Sequence, residues 1–270
     1  MSSGSANRST WTSCQDRQYN QSMKTTFQFI NLGFAVLVFI LMIVACFSFS
    51  YNVKMIQDVP FIVQTLSFDV GGVRNQACYY MGLRAMCFAV CGSVTAFYPA
   101  DSTYRKCDQA NSLSYADQVQ SCKNAPAEQQ SSVYCTAANA CNTGGVVCMI
   151  FALLAIICAG FTLYFSHRRM AADCQSHKAY SVIWALSTFV CCLTCYLSMQ
   201  ACAENAIDTT SAYFDPSDQY ANLNVAAAPG VAGIATIVGF IIFTYVFVLN
   251  LHMPALTVDA ELTDPLFAEK

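Results

Sequence analysis

Four long runs of apolar residues, each free of charge, punctuate this chain. They cover residues 29–51, 146–165, 180–203 and 231–251. Roughly 20 apolar residues suffice to cross the hydrocarbon core of a bilayer as a helix. All 13 Lys and Arg and all 16 Asp and Glu fall outside these runs. A charge at mid-membrane costs about 2.5–3.5 kcal/mol per residue, so a spanning helix excludes what it cannot solvate. Four buried helices of a soluble core would carry caps and polar faces that these runs lack. The pattern predicts an all-α integral membrane four-helix bundle, with a small disulfide-rich α+β ectodomain between its first two helices. The remaining segments are a tail (1–28), the ectodomain (52–145), a short link (166–179), a second ectodomain loop (204–230) and a second tail (252–270).

Within 52–145 the pattern changes period. Residues 61–70 (FIVQTLSFDV) are rich in Phe, Ile and Val, and Gly71 and Gly72 supply a turn, which predicts a hairpin. Residues 77–89 are expected as the next strand and 93–98 as another. From Asn124, a capping residue followed by Pro126, the stretch 127–141 is rich in Ala, Glu and Gln and predicts a helix. Gly144 and Gly145 are expected to bend the chain before the second membrane helix.

Charge asymmetry gives an orientation. Arg8, Arg17 and Lys24 lie in the first tail, and Arg168, Arg169 and Lys178 in the link 166–179. Segment 204–230 has no Lys or Arg but carries Glu204, Asp208, Asp215 and Asp218. The excess of basic residues on cytoplasmic segments therefore puts both termini in the cytoplasm, most simply at the plasma membrane. The sequons at Asn7 and Asn20 would then stay unmodified.

The cysteines fit that orientation. Of 16, Cys78, Cys87, Cys91, Cys107, Cys122, Cys135 and Cys141 lie in the first ectodomain, and Cys202 ends the third apolar run on the same side. On an oxidising face these are disulfide candidates, in a segment too short to bury much core of its own. Their connectivity stays open. If their stretch is extended, Cys87 and Cys91 sit roughly 13 Å apart, so each must reach elsewhere. Zinc is the rival reading, but the first ectodomain contains no His and no paired Cys-x2-Cys motif. Cys46, Cys148, Cys158, Cys191, Cys192 and Cys195 lie at membrane depth, where Cys behaves as a small apolar residue. Cys174, beside Arg168 and Arg169, is a palmitoylation candidate or an ordinary cytoplasmic thiol. His167, Cys174 and His177 read better as a solvated basic link than as a metal site.

Apolar residues make up 56% of the chain and charged ones 11%, against roughly a quarter charged in soluble domains. The net charge of −3, with no basic block, argues against a nucleic-acid partner. The runs carry no Lys, Arg, Asp, Glu or His, and no Ser/His/Asp or Cys/His constellation can be placed on one side of the membrane. No enzyme activity, cofactor or metal is expected. The runs do carry small-residue faces: Ala228, Ala232, Ala235 and Gly239 for the fourth helix, Ser187, Cys191 and Cys195 for the third, and Ala152, Ala155 and Ala159 for the second. Small residues let helices approach closely in lipid.

Gly82-Leu83-Arg84-Ala85-Met86-Cys87 is similar to the Gly-Leu-Trp-x-x-Cys of claudins, with Arg84 where claudins place Trp. Cys78, Tyr79, Gly82, Arg84 and Cys87 also resemble the amastin signature, one residue short and with Met81 and Met86 departing from it. With four spans and a large first ectodomain, the chain resembles the claudin-type tetraspan superfamily. That resemblance implies a structural or interaction protein embedded in lipid and contacting other membrane proteins or itself. The competing expectation is a transport component, either a channel auxiliary subunit or a small oligomeric pore. An oligomeric pore should place Asn31, Thr188 and similar residues on one water-facing stripe.

Overall fold

The structure, a computed structural model, describes residues 21–70, 73–91, 107, 112–130, 132–171, 175–213 and 221–253. Four long helices dominate it: α1 (Gln21–Phe47), α5 (Val133–Ala171), α6 (Gln175–Tyr213) and α7 (Val231–His252). Each is long and apolar enough to cross a membrane. They run antiparallel in sequence order, and α5 packs most extensively along α6. Between α1 and α5 lie the short helices α2 (Val53–Asp58), α3 (Tyr115–Asn124) and α4 (Ala127–Gln130). The same segment holds strands β1 (Ile62–Val70), β2 (Val73–Met81), β3 (Ala85–Val90) and β4 (Ser112–Ser114), and β5 (Ala221–Pro229) precedes α7.

The helices bury their small residues against one another and turn large apolar ones outward. Along α7, Ala232, Ala235, Thr236, Gly239, Phe243 and Val246 are buried, while Val231, Ile234, Ile241, Tyr245 and Leu251 point outward. Ile150, Leu153 and Ile157 on α5, and Ile183, Val190 and Leu197 on α6, are likewise exposed. Soluble monomers rarely show contiguous apolar patches of more than a few hundred Å². Here the outward faces of all four helices carry large apolar side chains, aliphatic and aromatic. The small residues face inward instead: Ala152, Ala155 and Ala159, with Cys191 and Cys195, are buried, and Ser187 is half-buried. An added Cβ on Gly239 would stand 3.4 Å from Val38 and 3.6 Å from Met42, so this glycine seats α7 against α1.

The sheet sits at the end of the bundle where α1 and α6 finish and α5 and α7 begin. Its five strands run in the order β4-β3-β2-β1-β5, and every neighbouring pair is antiparallel. Val70 pairs with Val73, so β1 and β2 form the expected hairpin, although Gly71 and Gly72 lie outside the described residues. Along β1, Ile62, Gln64 and Leu66 are buried and Val63 and Thr65 only half-buried, the two-residue alternation of a sheet with one packed face. One buried cluster runs unbroken from Val246 and Ala159 through Met42 and Cys148 to Phe61, Leu83 and Tyr115. Sheet and bundle share a core.

Several sequence expectations are corrected here. Residues 77–89 do not form one strand, because Gly82 to Arg84 turn the chain between β2 and β3. The helix expected over 127–141 is split into α4 and α5. Helix α5 begins at Val133, well before 146, and runs 39 residues, as does α6. At 1.5 Å per residue each is about 58 Å long, nearly twice the hydrocarbon thickness. Their ends therefore build part of the segments expected as ectodomain. The segment 204–230 is not a plain loop: α6 continues to Tyr213, and β5 joins the sheet beside β1. Ala228 consequently lies not on the packing face of α7 but on β5, exposed and paired with Val63. Strand 93–98 falls outside the described residues.

Candidate functional site

The turn Gly82-Leu83-Arg84 is the joint between sheet and bundle. The N–H of Gly82 donates to the carbonyl of Ala85 at 2.9 Å, closing the turn, and the N–H of Leu83 donates to the carbonyl of Ser48 at 2.9 Å, just past the end of α1. Leu83 is buried in the shared core. Tyr115, the first residue of α3, donates its hydroxyl to the Gly82 carbonyl at 3.3 Å, and its N–H donates to the Arg84 carbonyl at 3.1 Å. Burial pushes the Tyr115 phenol well above the usual tyrosine range, which keeps this donor protonated. Arg84 turns outward. Its Nε donates to Tyr51 Oη at 3.0 Å, and its guanidinium lies 5.6 Å from the centre of that ring. The cation thus packs on an aromatic face at the top of α1.

Gly144 and Gly145 do not bend the chain; α5 runs straight through them. They are points of close approach. A Cβ on Gly145 would collide with the Leu83 carbonyl, and one on Gly144 with the Ser198 carbonyl on α6. Lacking side chains, the pair lets one helix touch both the turn and its neighbour.

Four disulfides tie this end together. Cys78–Cys91 joins β2 to the residue just beyond β3, and Cys87–Cys107 joins β3 to the chain before β4. Cys122–Cys135 joins α3 to α5, and Cys141–Cys202 joins α5 to α6 with Cα atoms 4.4 Å apart. All eight disulfide candidates are used, and Cys87 and Cys91 reach different partners. Seven residues further along each helix, Cys148 and Cys195 face each other in the same antiparallel register, with the Cys195 thiol donating to the Cys148 carbonyl at 3.0 Å. Those two remain thiols, as do Cys46, Cys158, Cys191 and Cys192. Among the described residues, no three His, Cys, Asp or Glu side chains converge as a metal site.

At the opposite end of the bundle lies a polar cluster that sequence reading missed. Asn250 on α7 accepts from Arg169 Nη1 at 2.9 Å and from Ser181 Oγ at 2.8 Å, and donates to Asn31 Oδ1 at 3.2 Å. Asn31 also donates to Ser166 Oγ at 3.2 Å. All five side chains are buried, and together they join α1, α5, α6 and α7. The sequence signals were one Asn near the start of the first apolar run, Asn31, and one near the end of the fourth, Asn250. Thr162 and Thr188 are buried and, like half-buried Thr194, bond the carbonyl four residues back on their own helices. Their hydroxyls are thus satisfied within their own helices. Cys174 and residues 215–218 lie outside the described residues.

The chemistry of the sheet end is that of a cross-linked surface on a rigid base. No family model matches this sequence, and no curated protein matches it either. The Cys141–Cys202 bond closes the longest of the cross-linked loops, with a sequence separation of 61. Substituting both cysteines by Ala is expected to cost about 4 kcal/mol by loop-closure entropy. A lowered thermal midpoint of the full-length protein in mild detergent would report it; an unchanged midpoint would refute it.

Proposed function

We propose that this chain is a non-enzymatic four-span membrane protein acting as a structural or interaction subunit, in cell-surface adhesion or membrane-complex assembly. Its termini are cytoplasmic, its membrane is the plasma membrane, and its disulfide-tied ectodomain selects partners: other membrane proteins or a second copy of itself. The observation that carries this reading is the division of the surface. The helices turn large apolar side chains outward, suited to lipid. The sheet end, outside the runs, is held in one shape by four cross-links. A surface that loses little conformational freedom on binding is well suited to recognition.

The turn around Gly82, Leu83, Arg84 and Cys87 supports placing the chain in the claudin-type superfamily, because it does there what a family motif must do: it seats the sheet on the bundle. Arg84 resting on Tyr51 takes the place of the aromatic residue that claudins carry. The alternative, a channel auxiliary subunit or oligomeric pore, draws less support, since Asn31 and the span threonines are spent on bonds inside the bundle.

The test is an exchange. Residues 52–145 and 202–230 of this chain, which hold all eight disulfide cysteines, grafted onto a related four-span scaffold, should carry partner choice with them, read as proteins cross-linked and copurified in mild detergent. Partner choice that stays with the helices would turn the assignment to an intramembrane assembly subunit. Tags at both ends should be protected from external protease in intact cells, and a glycan on Asn7 or Asn20 would reverse the orientation.

A further inference from the structure

The sheet has one long open edge. Strand β5 ends the order β4-β3-β2-β1-β5, so β1 bonds only one of its two sides. The phase of that pairing is set where β5 meets α7: the Gly230 N–H donates to the Phe61 carbonyl at 2.9 Å. Bonded and non-bonded pairs alternate along an antiparallel ladder. Ile62 and Pro229 are therefore a non-bonded pair, and Val63 with Ala228 and Thr65 with Ala226 are bonded ones. Val225 and Ala227 in turn direct their N–H and C=O groups away from β1, where no other strand of the sheet lies. Asn224 and residues 226–229 are exposed.

Edges of this kind are templates for pairing, and proteins commonly guard them with charge, an interior Pro, a bulge or a cover. The sequence of β5, ANLNVAAAP, has no charged residue. Its one Pro takes the last outward position, next to α7, and the irregularity in its pairing, at Ser67 to Asp69 on β1, lies at the far end. Between them stand Ala226, Ala227 and Ala228, whose methyl side chains hold no approaching backbone away.

We propose that this edge pairs with the same edge of a second copy of the chain, standing in a facing membrane. The proposal rests on the interaction reading above and names the partner. An uncharged strand meets its own copy without like charges opposing one another. Symmetry closes the pair: two identical edges related by a two-fold axis perpendicular to the sheet form a regular antiparallel ladder, each copy giving and accepting the same bonds. Parallel pairing of the same edges across a two-fold would set N–H against N–H, since both present the same groups at the same height. Direction then decides the membrane. β1 climbs with α6: Phe61 and Ile62 line one hollow with Met199 and Ala203, and Gln64 Nε2 reaches the Ala206 carbonyl at 3.4 Å, beyond the apolar run. β5, antiparallel to β1, therefore descends toward its own membrane, and an antiparallel copy must descend toward an opposite one.

The full-length protein is reconstituted in phosphatidylcholine vesicles, in two batches carrying different fluorophores. Mixed batches should cluster into two-coloured particles, while protein-free vesicles stay apart. Ala227→Pro removes an outward N–H and leaves the bonds to β1, so each symmetric pair loses two hydrogen bonds and clustering should fall by about tenfold or more. Ala227→Ser keeps that N–H and should cluster like the parent. Mapping of the four disulfides in each variant establishes that it has folded. Undiminished clustering by Ala227→Pro would overturn the proposal. So would an equal loss in Ala227→Ser, which would place the contact in the side chain rather than the backbone edge. Cross-links between copies of one batch only, never across batches, would overturn it as well, since the copies would then meet within a single membrane. Flotation of the same vesicles at alkaline pH separates the two readings. Protein that fails to float defeats the membrane assignment itself, whereas protein that floats without clustering defeats only the self-pairing and leaves the ectodomain to other partners.

Discussion

Gly145→Ala prevents the native joint from forming: the expected loss is about 3 kcal/mol or more, above the usual cost of an added core methyl. The reason is what the methyl would meet. It would collide not with a side chain that can turn away but with the carbonyl of Leu83. That residue cannot retreat, because its N–H is held by the Ser48 carbonyl and Gly82 beside it is held by Ala85 and Tyr115. Relief must come from moving α5 away from the turn, which opens the core around Leu83 and Tyr115. Gly33→Ala is the matched control: that glycine is helical and exposed, with nothing within 4 Å of the added carbon, so its variant should stay within about 0.5 kcal/mol of the parent. Thermal midpoints in detergent and the yield of the native disulfides measure both. A Gly145→Ala protein with parental midpoint and intact Cys141–Cys202 would show that the turn does not depend on this contact.

That pair of glycines also marks the boundary of what sequence reading can reach. Charge exclusion is a property of each apolar run alone, so four helices long enough to span were legible without any knowledge of their neighbours. The hairpin was legible for the same reason, since residues 61–70 carry both the β-branched residues and the alternation. Gly144 and Gly145 read as a bend because glycine weakens an isolated helix by about 1 kcal/mol each. The partners that make them helical, Leu83 and Ser198, lie more than fifty residues away in either direction along the chain. Strand β5 was illegible for a related reason. Its sequence, ANLNVAAAP, has one β-branched residue, and pairing with β1 rather than propensity makes it a strand. Ala228 was misassigned with it, because small residues at helical spacing continued backward from α7 across a boundary that only Pro229 and Gly230 signal. Of the cross-links, spacing could say that Cys87 and Cys91 diverge, but not where each goes, since that depends on the strand order.

The buried polar cluster is the other feature that no single run disclosed, and Asn250→Leu should be among the most damaging single changes in the bundle. In membrane proteins a neutral interhelical hydrogen bond contributes on average only about 0.6 kcal/mol. Ser181→Ala should accordingly cost about that much, since Asn250 keeps its bond to Arg169. Asn250 differs because Arg169, 2% exposed, places its Nη1 on the Asn250 carbonyl oxygen. Leucine matches the asparagine in bulk yet takes that acceptor from a buried cation, and from Ser181 and Asn31 as well. Taking a neutral acceptor from a buried charged donor costs about 1.5–3 kcal/mol, well above the contribution of an average interhelical bond. The diagnostic is therefore the double variant. If the penalty comes from the acceptor that the guanidinium loses, Arg169→Leu combined with Asn250→Leu should recover part of the midpoint lost by Asn250→Leu alone. Penalties that simply add would mean that Arg169 and Asn250 act separately, and the cluster would then not be the unit that holds the four helices together at this end.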